Sequence, residues 1–155
     1  MSDDIHLTPE GAEALRRELD ELVSVRRPEL AQRLREAVAD GDLKENANYH
    51  DTKEQQSMVE GRIHYLQDIL RRATVVINDG PSDVVRIGSL VTIQEIGADT
   101  EETYTIVGAA EANPREGKLS EKSPIGAALM GRKRGDKVKV NAPAGEISFK
   151  VKKVE

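Results

Sequence analysis

Asp42 and Glu45 stand three residues apart in the stretch Asp40-Gly41-Asp42-Leu43-Lys44-Glu45-Asn46. The spacing leaves two readings open. Asp-x-x-Glu has the form of a capping box, with Asp42 as the N-cap of a helix and Glu45 reaching back to it. The same two carboxylates, if exposed, can offer oxygen ligands to a hard divalent cation such as Mg2+. Two carboxylates leave most of an octahedral Mg2+ shell unfilled, so a metal site here has to be completed by a partner. Leu43 lies between them. An exposed leucine at such a place suits insertion into a partner, although single exposed leucines are ordinary.

No other group of residues competes for chemistry. His6, His50 and His64 lack metal-binding spacing and there is no cysteine, which removes thiolate ligands, disulfides and cysteine nucleophiles. No glycine-rich phosphate loop follows a strand. Arg132-Lys133-Arg134 with Lys137 and Lys139 forms a basic run that reads as a solvated surface or as a face for an acidic partner. The net charge is −5, with residues 1–77 carrying −5 and residues 78–155 carrying zero. Broad gripping of nucleic acid by counterion release is therefore disfavoured, and only a weak local nucleic-acid contact is left open.

The acidic stretch is bracketed by two helical patterns. Thr8-Pro9-Glu10 has the residues of a helix start. Leu15, Leu19 and Leu22 follow at coiled-coil spacing. The pattern resumes at Leu30, Leu34 and Ala37, displaced by one residue, with Pro28 between. This predicts a kink or local adjustment near Pro28. Gly41 suits the left-handed residue that ends a helix. Tyr49, Thr52, Gln56, Val59, Ile63, Leu66, Leu70 and Ala73 form a second seam, weaker toward Thr52 and Gln56. Two helices of about 30 residues, each roughly 45 Å long, joined by a short loop, predict an antiparallel hairpin with the acidic stretch at its tip.

The period changes after residue 73. Thr74-Val75-Val76-Ile77 reads as a strand and residues 78–83 as a turn or linker, which puts a domain boundary within 74–83. Residues 89–96 and 102–107 predict a hairpin. Val138 and Val140, then Ile147, Phe149 and Val151, alternate with polar residues as in sheets that are wet on one face. Ser123-Pro124 opens a short helix that Gly131 ends. The expected fold class is α+β: an antiparallel coiled-coil hairpin over 1–76, its acidic tip at 40–46, then a small antiparallel β domain with one short helix over 77–155. Hydrophobic content is 37% and charged content 33%, with one Phe and no Trp, which suits such a build. No apolar run approaches the ~20 residues that span a bilayer and no signal peptide is evident, so a cytoplasmic protein without membrane contact is expected.

Gly41-Asp42-Leu43-Lys44-Glu45-Asn46-Ala47-Asn48-Tyr49-His50, with Lys53-Glu54-Gln55-Gln56 and Glu60-Gly61-Arg62-Ile63, resembles the signature of the Gre transcript cleavage factors, the GreA branch in particular. Leu7-Thr8-Pro9-Glu10-Gly11, Val25-Arg26-Arg27-Pro28-Glu29, Ser123-Pro124-Ile125-Gly126 and Leu129-Met130-Gly131 carry the same likeness. The resemblance implies an FKBP-like second domain that docks at the rim of the secondary channel of bacterial RNA polymerase, against a β′ coiled coil. It implies a hairpin that enters the channel of a backtracked enzyme. Asp42 and Glu45 would then share a weakly held Mg2+ of the polymerase, and the polymerase itself would hydrolyse the RNA 3′ end. The factor would be an activator rather than an enzyme, with no cofactor of its own, and a monomer. Pro124, Ile125, Leu129 and Leu43 are the expected partner-binding residues, with the alternative that Ile125 and Leu129 are simply core. A channel-entering module that only inhibits, and a coiled-coil oligomerisation protein, are the alternatives.

Overall fold

The computed structural model describes residues 4–80 and 82–155. The chain divides into two compact units. Ala12–Arg72 is one; residues 4–11 join Ala73–Glu155 in the other.

The first unit is the helical hairpin. Helix α1 (Pro9–Glu21) leads into a π-helical turn (Leu22–Arg26) and then α2 (Arg27–Ala39); α3 (Ala47–Arg72) returns. The π turn is the physical form of the one-residue slip in the heptads. The Arg27 N–H donates to the Leu22 carbonyl, five residues back, so the turn absorbs one extra residue. It also suits Pro28, which has no N–H to give and whose ring would crowd the carbonyl four residues earlier in a regular α-helix. Leu15, Leu30 and Ala37 are buried from the first arm, and Thr52, Ile63, Leu66 and Ile69 from the second. Where the seam weakens, polar contacts cross it. Arg26 and Arg33 both donate to Oε1 of Gln55, at 2.7 and 3.3 Å. Thr52 is fully buried and returns its hydroxyl to the Asn48 carbonyl.

The second unit is a curled, mixed sheet. Its strands are β3 (Leu90–Glu95), β4 (Glu101–Val107), β5 (Lys118–Ser120), β6 (Lys137–Ala142) and β7 (Gly145–Val154), in the order β5-β4-β3-β7-β6. The two expected hairpins are present as β3–β4 and β6–β7. The expectation of a purely antiparallel domain is corrected at β5, which pairs with β4 in parallel. Between them the chain crosses over through two short 3-10 turns, Ala109–Glu111 and Pro114–Glu116, instead of reversing in a hairpin. Helix α4 (Pro124–Leu129) starts as expected: Ser123 caps it by accepting from the Gly126 N–H at 3.1 Å. The core gathers Val91, Ile93, Ile106, Leu129, Val138, Phe149 and Val151.

A pair of two-residue strands completes this unit. His6–Leu7 (β1) runs parallel to Thr74–Val75 (β2). Leu7 is buried, and the His6 ring lies 2.6 Å from the Glu121 carboxylate. Glu111 accepts from the backbone N–H and the hydroxyl of Thr8, whose own oxygen accepts from the Gly11 N–H. Among the described residues no helix is long and apolar enough to cross a membrane.

Candidate functional site at the hairpin tip

Helix α2 ends at Ala39 with Asp40 as its C-cap, and Gly41 follows with φ +116°, a conformation open to glycine and strained for a residue with a side chain. Residues 41–45 are exposed, and the half-buried Asn46 completes the loop before α3.

The capping-box reading of Asp42 and Glu45 is overturned here. Helix α3 begins at Ala47, too late for Asp42 to cap it. The cap is Asn46: its Oδ1 accepts from the Tyr49 N–H at 3.1 Å. Its Nδ2 donates to the Ala37 carbonyl at 2.7 Å. One side chain thus satisfies an orphan donor at the start of α3 and a carbonyl near the end of α2, closing the hairpin.

Asp42 has a different local role. Its Oδ1 accepts from the Lys44 N–H at 3.1 Å, an Asx-type turn. The other carboxylate oxygen is not part of that bond. Glu45 is exposed, with no hydrogen-bond or ion-pair partner among the described residues. Leu43, between them, is 38% exposed. Both carboxylates are therefore available to an outside ligand. Their oxygens are the donor type Mg2+ takes. Among the described residues they belong to no group of three or more potential metal ligands.

His50 and Asn46 were not singled out for the site by sequence reasoning. Nε2 of His50 lies 3.2 Å from the Lys44 carbonyl oxygen, and the His50 ring makes an edge contact with Tyr49, centroids 5.4 Å apart. The usable signal was local: asparagine is as good an N-cap as aspartate, and Asn46 directly precedes the first turn of α3.

The expected docking residues separate on the second unit. Pro124 is exposed and Ile125 half-buried against the core, while Leu129 is 0% exposed. Leu129 is therefore corrected from contact residue to core residue: it anchors α4 to the sheet, and Pro124 and Ile125 are what α4 can present to a partner.

Farther down the hairpin, Arg27 grips Glu60 with two hydrogen bonds, 2.7 and 2.9 Å. Those bonds hold the Glu60 carboxyl below its ordinary value of 4.5. Arg62 grips Glu18 in the same way, both bonds at 2.9 Å.

Comparison with known proteins covers both units. A family model described as "Transcription elongation factor, N-terminal" matches residues 5–75, and one described as "Transcription elongation factor, GreA/GreB, C-term" matches residues 80–155. The transcription elongation factor GreA of Bacillus velezensis is 45% identical over 148 residues, 96% of this chain and 94% of that one. Its counterpart from Streptococcus pneumoniae is 47% identical over 150 residues, with the same coverage. The crystal structure of GreA factor homolog 1 of Thermus thermophilus covers 98% of this chain and 99% of that one at 29% identity, with a TM-score of 0.45.

Proposed function

The chain belongs to the GreA/GreB family of transcription elongation factors, and from that premise we propose that it reactivates backtracked bacterial RNA polymerase by stimulating the polymerase's own cleavage of RNA. It is an activator and not a free-standing nuclease. The hairpin enters the secondary channel and brings Asp42 and Glu45 to the polymerase active site in the cytoplasm. The second unit, FKBP-like in this reading, docks through the exposed side of α4 at Pro124 and Ile125, against the β′ coiled coil at the channel rim. Leu43, exposed at the tip, lies against the channel wall. The factor acts as a monomer.

The observation that carries this reading is the division of labour at the tip. Asn46 caps α3, so the helix start does not require Asp42. Asp42 and Glu45 offer anionic oxygens on a loop whose ends are tied to two helices. A Mg2+ shared with the polymerase would supply Lewis-acid activation of water and of the scissile phosphate. Asp42 would be its ligand, and Glu45 would orient the water or add a ligand. The Asx turn fixes one Asp42 oxygen inward and leaves the other for this task. An Asp42 carboxylate held in place before docking does not have to be ordered during it, which favours reaction over a freely moving loop.

Asp42→Asn is the test. Asparagine retains an oxygen that accepts from the Lys44 N–H, so the turn persists while the charge is lost. The variant should keep its melting temperature and its affinity for polymerase, yet lose cleavage of RNA in a backtracked complex with Mg2+ by about 100-fold or more, the scale expected when a preorganised electrostatic group is removed. Undiminished cleavage would remove Asp42 from the mechanism. A wild-type protein that binds polymerase without stimulating cleavage would instead make the chain an inhibitor or modulator.

A further inference from the structure

His50 follows Glu45 by five residues and Asp42 by eight, but its imidazole reaches back over the tip. Nε2 lies 3.2 Å from the carbonyl oxygen of Lys44. A carbonyl can only accept, so Nε2 must carry the proton and donate. The bonded carbonyl belongs to the peptide unit that joins Lys44 to Glu45. On the other side of Lys44, its N–H donates to Asp42 Oδ1 at 3.1 Å. The hydrogen bonds thus run from His50 through the two peptide groups of Lys44 to Asp42, and the peptide that His50 holds is also the one from which Glu45 projects.

The imidazole is itself held. The His50 backbone N–H donates to the Asn46 carbonyl at 3.1 Å, which places it in the first turn of α3. The edge contact with Tyr49 limits the ring. His50 is thus fixed on a helix and pins a loop, an arrangement that transfers the order of a rigid element to a site on a flexible one. The loop has few other tethers: apart from the Asx turn and the bonds of Asn46, residues 42–45 are exposed.

We infer that His50 is a positioning residue for the two tip carboxylates, setting the peptide between Lys44 and Glu45 so that Asp42 and Glu45 are presented together. The inference rests on the function proposed above. It needs no change in His50 protonation, because both the Nε2–H tautomer and the imidazolium donate from the same nitrogen. The chemistry that matters is a donor at the distance of Nε2. Glutamine places an amide nitrogen at that reach. Asparagine falls short of it, and leucine has no donor.

The test compares wild type, His50→Gln, His50→Asn, His50→Leu and Asp42→Asn by two measurements. The first uses free protein. Amide relaxation should show Lys44 and Glu45 as ordered as the start of α3 in wild type and His50→Gln, and more mobile in His50→Asn and His50→Leu. The second is single-turnover cleavage of a backtracked complex at saturating factor across a Mg2+ titration. Loss of one positioning hydrogen bond should lower the rate about 3- to 10-fold and raise the Mg2+ concentration for half-maximal cleavage in His50→Asn and His50→Leu. Polymerase affinity should be unchanged, and His50→Gln should restore both quantities. Wild-type mobility and cleavage in His50→Leu would overturn the inference. So would His50→Gln as defective as His50→Leu, because the donor would then not be what matters. Failure of the functional reading looks different: wild type itself would leave cleavage unstimulated, whatever the loop order of the variants.

Discussion

The Glu111 carboxylate spans Thr8, taking the backbone N–H through one oxygen, at 2.7 Å, and the hydroxyl through the other. It does so at the first turn of α1, where N–H groups lack helical partners and negative charge is favoured by the helix dipole. Glu111 arrives from a 3-10 turn some hundred residues later in the chain. Its side chain also occupies the space a Cβ at Gly11 would need: that atom would lie 1.9 Å from Oε1. Glycine at position 11 is therefore a condition for this bridge.

Removing the bridge should be costly. Glu111→Ala loses two charge-assisted hydrogen bonds and leaves the Thr8 N–H without its acceptor, and we expect a loss of about 2–4 kcal/mol in urea denaturation. Gly11→Ala should produce a similar loss by displacing the Glu111 side chain. Combined, the two substitutions should cost little more than either alone, because both break one interaction. Additive losses would show that Gly11 matters for another reason.

Asn46 makes a graded prediction. Asn46→Asp keeps an acceptor for the Tyr49 N–H but cannot donate to the Ala37 carbonyl; Asn46→Ala loses both bonds. We expect about 1–2 kcal/mol for alanine and roughly half of that for aspartate. Thermal unfolding at neutral pH would check the order. Equal losses would mean that the bond from the Tyr49 N–H contributes nothing.

Acidification should act on the hairpin through Glu60. The Arg27 hydrogen bonds hold its pKa below the ordinary value, with partial desolvation opposing and the Arg27 and His64 charges assisting. A carboxyl depressed in the folded state contributes stability that is present above its unfolded pKa and lost as pH falls through the folded one. Wild type should thus lose stability below pH 4.5 more steeply than Glu60→Gln. The difference should shrink in high salt, since the pair is exposed. Parallel pH profiles for the two proteins would exclude the pair from the pH response.

Pro124 and Leu129 lie on the same short helix and should fail differently. Leu129→Ala opens a cavity beneath α4 and should cost about 2–5 kcal/mol of stability. Pro124→Ala removes an exposed ring at a helix start and should leave the fold nearly intact while weakening polymerase binding. Competition binding against wild type would measure this. Unchanged affinity for Pro124→Ala would remove α4 from the docking surface.

These residues also show what sequence alone could tell. The hairpin was legible because its seam repeats over many turns, and even the π turn was visible as a slip between Leu22 and Leu30. The β3–β4 and β6–β7 hairpins were legible from alternation. Strands β1, β2 and β5 were not fully legible, because two or three residues carry no period and their partners lie far away in sequence. Local spacing favoured Asp42 over Asn46 as the cap. What selects Asn46 is the Ala37 carbonyl of the other helix, which no local pattern contains. Leu129 and Pro124 belong to one motif, and only packing separates a core anchor from an exposed ring.

The π turn at Leu22–Arg26 has a consequence for aim. One residue of α-helix turns about 100°. Without the extra residue, Leu30 and Ala37 would be rotated by that amount relative to Leu15 and could not share with it the face that meets α3. The inserted residue thus sets the azimuth of everything distal to it, including the direction in which Asp42 and Glu45 leave the end of the hairpin. A single-residue deletion among the exposed positions of that turn would change no tip residue and yet turn the carboxylates toward a different wall.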